Sequence, residues 1–101
     1  MASSKPFLNS NLTLQQLASD LTITPHILSQ VINDQYNLNF FDFVNQYRVQ
    51  EFREIVLNPK YENFSLLGIA LECGFNSKTA FNRIFKKSTG LTPSQFKHRK
   101  K

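Results

Sequence analysis

Lys78, Thr79, Asn82 and Arg83 stand at i, i+1, i+4 and i+5, so a helix through them turns all four to one face, opposite Phe81, Ile84 and Phe85. Their chemistry is hydrogen bonding. Arg83 offers a planar fork of donors, Asn82 both donors and an acceptor, and Thr79 a hydroxyl that serves either way. Ser77, Lys86 and Lys87 flank the set with groups suited to an oxyanion such as phosphate. Covalent chemistry has no such constellation. Cys73 precedes Gly74 on the packed side of a turn and reads as a buried thiol. His26 and His98 lack a partner at helical spacing. No catalytic residue, metal site or cofactor is therefore expected.

Charge sharpens this picture by its position. The chain of 101 residues has a formal net charge of +5. Residues 1–50 hold Lys5 and Arg48 against Asp20, Asp34 and Asp42, and no acidic residue follows Glu72. The basic groups thus gather in the second half, ending in the tail Lys97, Arg99, Lys100 and Lys101, which suits a polyanion. Length allows one compact domain. A 41% hydrophobic content with ten Phe supplies a core, while three Gly and four Pro favour helices over a turn-rich β fold. No run approaches the roughly 18 apolar residues of a membrane span, and no signal peptide is evident. Met1-Ala2-Ser3-Ser4 reads as a cut end, and the lone cysteine fits a reducing cytoplasm.

The elements that must position the polar face come from an internal duplication. At an offset of 52, Thr13, Leu14, Leu17, Ala18 and Ile23 match Ser65, Leu66, Ile69, Ala70 and Phe75. At 53, Thr24, Leu28, Val31, Ile32, Asn37, Leu38, Asn39 and Phe43 match Ser77, Phe81, Ile84, Phe85, Gly90, Leu91, Thr92 and Phe96. Thr13 with Gln16 has capping-box spacing, and Thr24-Pro25 sets an N-cap before a proline at the first helical position. Leu28, Val31 and Ile32 form the inward face of the next helix, and Asn37 and Gly90 end it in their two copies. Ala18 and Ala70 are the small residues at the expected crossing, with Ile23 and Phe75 plugging the turns. Each copy therefore reads as a helix-turn-helix unit, whose second helix enters a DNA major groove. Between them, Asn39 to Leu57 reads as one helix stopped by Asn58-Pro59, long enough to hold two such units about one DNA turn apart. A plain bundle of helix pairs is the competing reading.

The second copy resembles the AraC/XylS-type transcription regulators. Ile69-Ala70 followed by Gly74-Phe75 and Ser77, then Phe81-Asn82-Arg83-Ile84-Phe85-Lys86, then Gly90-Leu91-Thr92-Pro93 is similar to that family's signature. The first copy is similar more loosely, through Leu14 to Leu28 and Phe40 to Tyr47-Arg48, and the likeness covers about residues 12–99. It implies an all-α, homeodomain-like DNA-binding domain of six to seven helices, with two helix-turn-helix subdomains joined by a central helix. The expected divisions are a leader or truncated first helix at 1–11, a first subdomain at 12–38, a linker helix at 39–58 and a second subdomain with basic tail at 59–101.

The resemblance also implies function. Recognition helices at about 24–34 and 77–88 would read double-stranded DNA as part of a bacterial, cytoplasmic, nucleoid-associated regulator, in the manner of an activator. Lys78, Thr79, Asn82 and Arg83 correspond to base-facing positions, Arg83 suiting guanine and Asn82 adenine. His26, Ser29 and Gln30 take the corresponding places in the first unit. Ser77, Lys86, Lys87 and Arg48 are the expected phosphate contacts, with a structural role for Arg48 left open. RNA polymerase and a separate sensing or dimerisation domain are the further expected partners, and no membrane contact is expected. Departures from the family pattern are the uncharged Gln30 and Asn33 with Asp34 late in the first recognition helix, Phe52 for a frequent Ala, and Asn37 for a frequent Gly. A helical protein-interaction module that does not read DNA is the alternative.

Overall fold

The computed structural model describes residues 4–100. Met1–Ser3 of the expected cut end, Lys101, and the side chains of Arg99 and Lys100 lie outside the described residues. Six α-helices follow in order: α1 Leu14–Asp20, α2 Pro25–Tyr36, α3 Phe40–Ile55, α4 Leu66–Glu72, α5 Lys78–Thr89 and α6 Pro93–Lys100. Short 3-10 turns at Pro6–Leu8 and Pro59–Tyr61 precede α1 and α4, and there is no strand among the described residues. No helix among the described residues is long and apolar enough to cross a membrane.

Side chains start the helices by taking up amide hydrogens that have no partner within the helix. Thr13 Oγ1 accepts from the Gln16 amide at 3.1 Å, and Gln16 Oε1 accepts from the Thr13 amide at 3.1 Å, a complete capping box. Thr92 and Gln95 repeat the box before α6, at 3.1 and 2.9 Å. Thr24, Asn39, Ser65 and Ser77 cap α2, α3, α4 and α5 with single bonds of 3.2, 2.8, 2.9 and 3.1 Å. Each such cap stabilises its helix by about 1 kcal/mol. Asn37, at φ 55°, and Gly90, at φ 79°, end α2 and α5 in the left-handed conformation.

Burial divides into two clusters with α3 as their common wall. Phe43 and Val44, early in α3, join Phe7, Leu17, Ala18, Leu28 and Ile32. Later, Val49, Phe52 and the following Val56 join Ile69, Ala70, Cys73, Phe75, Phe81, Phe85 and Phe96. The apolar stripe turns with the helix, and one 16-residue element therefore holds both units in a body of 42 × 24 × 22 Å. At each crossing the alanine is fully buried. The turn closes over it, with the Ile23 amide donating to Ala18 O at 3.0 Å and the Phe75 amide to Ala70 O at 3.2 Å.

Three details depart from the sequence reading. Val31 does not join the inward face; it is 46% exposed, because Leu28 and Ile32 already fill the contact with α1 and α3. The helix carrying it runs two residues past Asp34, and the Tyr36 ring packs 4.9 Å from Phe43. Residues Pro6–Leu8 form a 3-10 turn that buries Phe7 at 3% exposure, stacked on Tyr47.

Candidate nucleic-acid interface

The outward face of α5 is set by what its other face buries. Phe81 and Phe85 lie 4.9 and 5.1 Å from the Phe52 ring of α3, and Phe75 and Phe96 close around them. These contacts fix the rotation of α5 about its axis. Lys78, Thr79, Asn82, Arg83, Lys86 and Lys87 are consequently all exposed on the remaining face. No acidic group of the described residues comes within ion-pair distance of its cations. Arg83 and Lys87 border a cleft toward α3, facing Leu38, Phe41, Asp42 and Gln46. Ser77 Oγ accepts from the Ala80 amide, which leaves its hydroxyl hydrogen able to donate outward.

On α2, Leu28 and Ile32 are buried while His26, Ser29 and Gln30 are exposed. These three match Thr79, Asn82 and Arg83 at the offset of 53, so the duplication places equivalent positions on equivalent faces. The electrostatics differ. Residues 6–47 contain no Lys or Arg and three Asp, whereas α5 alone carries four basic side chains.

Arg48 calls for a correction. It is 7% exposed and turned inward, not toward an external phosphate. Its Nε donates to Phe7 O at 2.7 Å, one terminal nitrogen to Asn9 O at 2.9 Å and the other to Asn45 Oδ1 at 3.1 Å. Burial lowers its pKa from the usual guanidinium value, and the ring of oxygens is what makes an enclosed cation tolerable. Asn45, 3% exposed, shares the site, and its Nδ2 is buried without a hydrogen-bond partner. Sequence reasoning passed over Asn45 altogether. The available signal was two polar residues, Asn45 and Arg48, set among Val44 and Val49 on the buried side of a helix.

Two paired-helix units with exposed polar second helices define a helix-turn-helix protein. Comparison with known proteins places it further. A helix-turn-helix domain family model matches residues 17–99. The uncharacterized HTH-type transcriptional regulator YpdC of Escherichia coli is 32% identical over 88 residues, covering 87% of this chain and 30% of that protein. The C-terminal domain of AraT, a response regulator from Geobacillus stearothermophilus, superposes with a TM-score of 0.79 at 27% identity, covering 94% of this chain and 76% of that one. An AraC-type DNA-binding-domain regulator from Chromobacterium violaceum shares the fold, with a TM-score of 0.78 at 17% identity over 98% of this chain and 96% of that one. The chain belongs to the AraC-type helix-turn-helix family, a family of DNA-binding transcription regulators and not of enzymes. It spans about 30% of the length of the curated relatives it matches.

Proposed function

We propose that this domain reads double-stranded DNA by placing α2 and α5 in successive major-groove segments, with α5 supplying most of the affinity. The observation that carries the reading is the outward set on α5, cationic and hydrogen-bonding, without an acidic partner. Arg83 makes a bidentate contact to guanine, Asn82 pairs with adenine, and Lys78 and Thr79 complete the base contacts. Ser77, Lys86 and Lys87 hold phosphates and so fix register. His26, Ser29 and Gln30 read a second block of bases through hydrogen-bonding side chains. A long axis of 42 Å accommodates two contact blocks about 34 Å apart.

In the whole regulator this domain would act with a sensing or dimerisation domain and with RNA polymerase, in the bacterial cytoplasm. Binding of the 101-residue chain to a random duplex pool, with recovery and sequencing of bound DNA at about 50 and 200 mM salt, tests the reading. Two enriched blocks one helical turn apart and a steep loss with salt are expected. A single block would leave α5 as the sole reader. Binding to no duplex, even at low salt, would favour the protein-interaction module instead.

A further inference from the structure

We infer that the segment Lys5–Asn9, held by Arg48, is a clasp across the two helix-turn-helix units and that Arg48 is a positioning residue for the distance between α2 and α5. This rests on the two-helix reading for its consequence on DNA, though not for its geometry. The segment touches both units at once. Phe7 is seated in the first core and stacks on Tyr47 at 5.7 Å, while the carbonyls of Phe7 and Asn9 accept from Arg48 on the shared helix α3.

Gly74, in the turn of the second unit, closes against the same place. A Cβ on Gly74 would run into Phe7 O, and would come within 2.8 Å of Arg48 Nε and 3.2 Å of Leu8 Cα. The second unit's turn therefore rests directly on the clasped backbone, and a glycine is required there by space as well as by its φ of 101°. At the outer end Lys5 Nζ pairs with Glu51 of α3 at 3.1 Å.

A fork of donors suits this task and a point charge does not. Arg48 reaches two carbonyls and an amide oxygen in fixed directions, and a lysine cannot span them together. Without the fork, the segment keeps only the Phe7–Tyr47 stacking and the Lys5–Glu51 pair on α3, and the second unit's turn rests on backbone that is no longer fixed in direction. The two recognition helices are then free to change their separation while each unit keeps its own core.

The test has two readouts on the 101-residue chain. Spin labels at Gln35→Cys and Ser88→Cys, both at exposed positions, report the distance between α2 and α5 without DNA. Cys73 stays unlabelled because it is fully buried. A narrow distribution is expected, broadened by Arg48→Lys; a distribution that is already broad, or unchanged in the variant, overturns the clasp. On two-block duplexes, moving the blocks by two base pairs should weaken the unsubstituted chain at least about tenfold, as one block's contacts are lost. Arg48→Lys should bring that ratio below about threefold. Equal weakening at every spacing, with the ratio intact, would make Arg48 a merely structural residue and overturn the inference. Should Arg48→Lys unfold, Lys5→Glu, which repels the segment's end from Glu51, takes its place in the distance measurement with the same two outcomes. That measurement uses no DNA, so it decides the clasp even if the spacer series shows that only one unit reads bases.

Discussion

The two halves of this domain solve one folding problem twice and present different surfaces to a ligand. Both open their first helix with a hydroxyl cap, Thr13 or Ser65, bury an alanine at the crossing, and end the second helix with a left-handed residue. On the outside the likeness ends. The first unit shows His26, Ser29 and Gln30; the second shows Lys78, Arg83, Lys86 and Lys87. Packing requirements constrain the shared positions, because a helix pair can cross closely only over a small side chain. Nothing in the packing constrains the outward ones, which are free to answer to a partner. On the proposed function, this contrast puts the cationic share of DNA affinity on the second unit.

The turns give the sharpest contrast and the largest expected effect. Thr22 and Gly74 occupy the same place at the offset of 52, and both have positive φ, 56° and 101°. A β-branched residue there is strained, although Thr22 Oγ1 donates to Leu21 O at 2.6 Å as local compensation. Exchanging the residue types should therefore have opposite signs. Gly74→Thr combines a strained backbone with a collision against Phe7 O and is expected to destabilise by about 3 kcal/mol or more. Thr22→Gly should stabilise by up to about 1 kcal/mol, with strain relief partly offset by the flexibility of glycine in the unfolded chain. Urea denaturation of the two variants checks both; equal destabilisation would mean that the two turns are not equivalent.

Binding gives the next effect. Arg83→Ala should weaken binding to the recovered site by about 1–3 kcal/mol and relax selection at one base position. Gln30→Ala, at the matching place, should cost less than about 1 kcal/mol, because it loses a neutral contact. Fluorescence anisotropy on one duplex measures both, and a Gln30→Ala loss as great as that of Arg83→Ala would erase the assigned asymmetry.

A smaller effect concerns salt. Lys86→Ala and Lys87→Ala should each lower the slope of log affinity against log salt by about 1, uniformly across sequences. Removing a charge in the first unit, as in Asp34→Asn, should leave the slope nearly unchanged, because no phosphate contact is assigned there. A salt titration that responds equally to Lys86→Ala and Asp34→Asn would place the backbone contacts on both units.

Local rules made most of the scaffold legible in advance. Thr13 with Gln16, Thr24 with Pro25 and Gly90 announce helix boundaries through interactions within a few residues, and the Phe81–Phe85 stripe fixes which way Arg83 and Asn82 face. Arg48 shows where such rules stop. Its acceptors are backbone carbonyls of Phe7 and Asn9, 41 and 39 positions away, and a carbonyl has no signature in a sequence. Phe7 was unreadable for the same reason, since its place in the first core depends on a turn held by residues far along the chain, Tyr47, Arg48 and Gly74 among them. Val31 failed differently: three apolar residues on one face predict inward packing, but a two-helix contact had room for only two of them.

The smallest effect at neutral pH separates the units by titration. Cys73 is fully buried where its counterpart at the offset of 52, Leu21, is half exposed. Burial pushes the Cys73 thiol up to about 12, with Glu51 and Glu72 adding to the rise. In the unfolded chain the thiol ionises near its ordinary value of about 8.5–9. The raised folded pKa means that the neutral thiol is the form the folded state holds, so its contribution is fully present below about pH 8.5. Between that pH and about 12 the unfolded state gives up a proton that the folded state keeps, and stability falls, by on the order of 1.4 kcal/mol per pH unit at most. Unfolding by urea from pH 7 to pH 10.5 should accordingly show a decline beginning near pH 9. Cys73→Ala removes the titrating group and should flatten that decline, at the cost of a small cavity beside Ile69 and Ala70. A decline of the same slope in Cys73→Ala would assign the alkaline loss to other groups, Tyr47 of the first half among them, whose pKa burial also raises, and would remove the thiol as a mark of the second core.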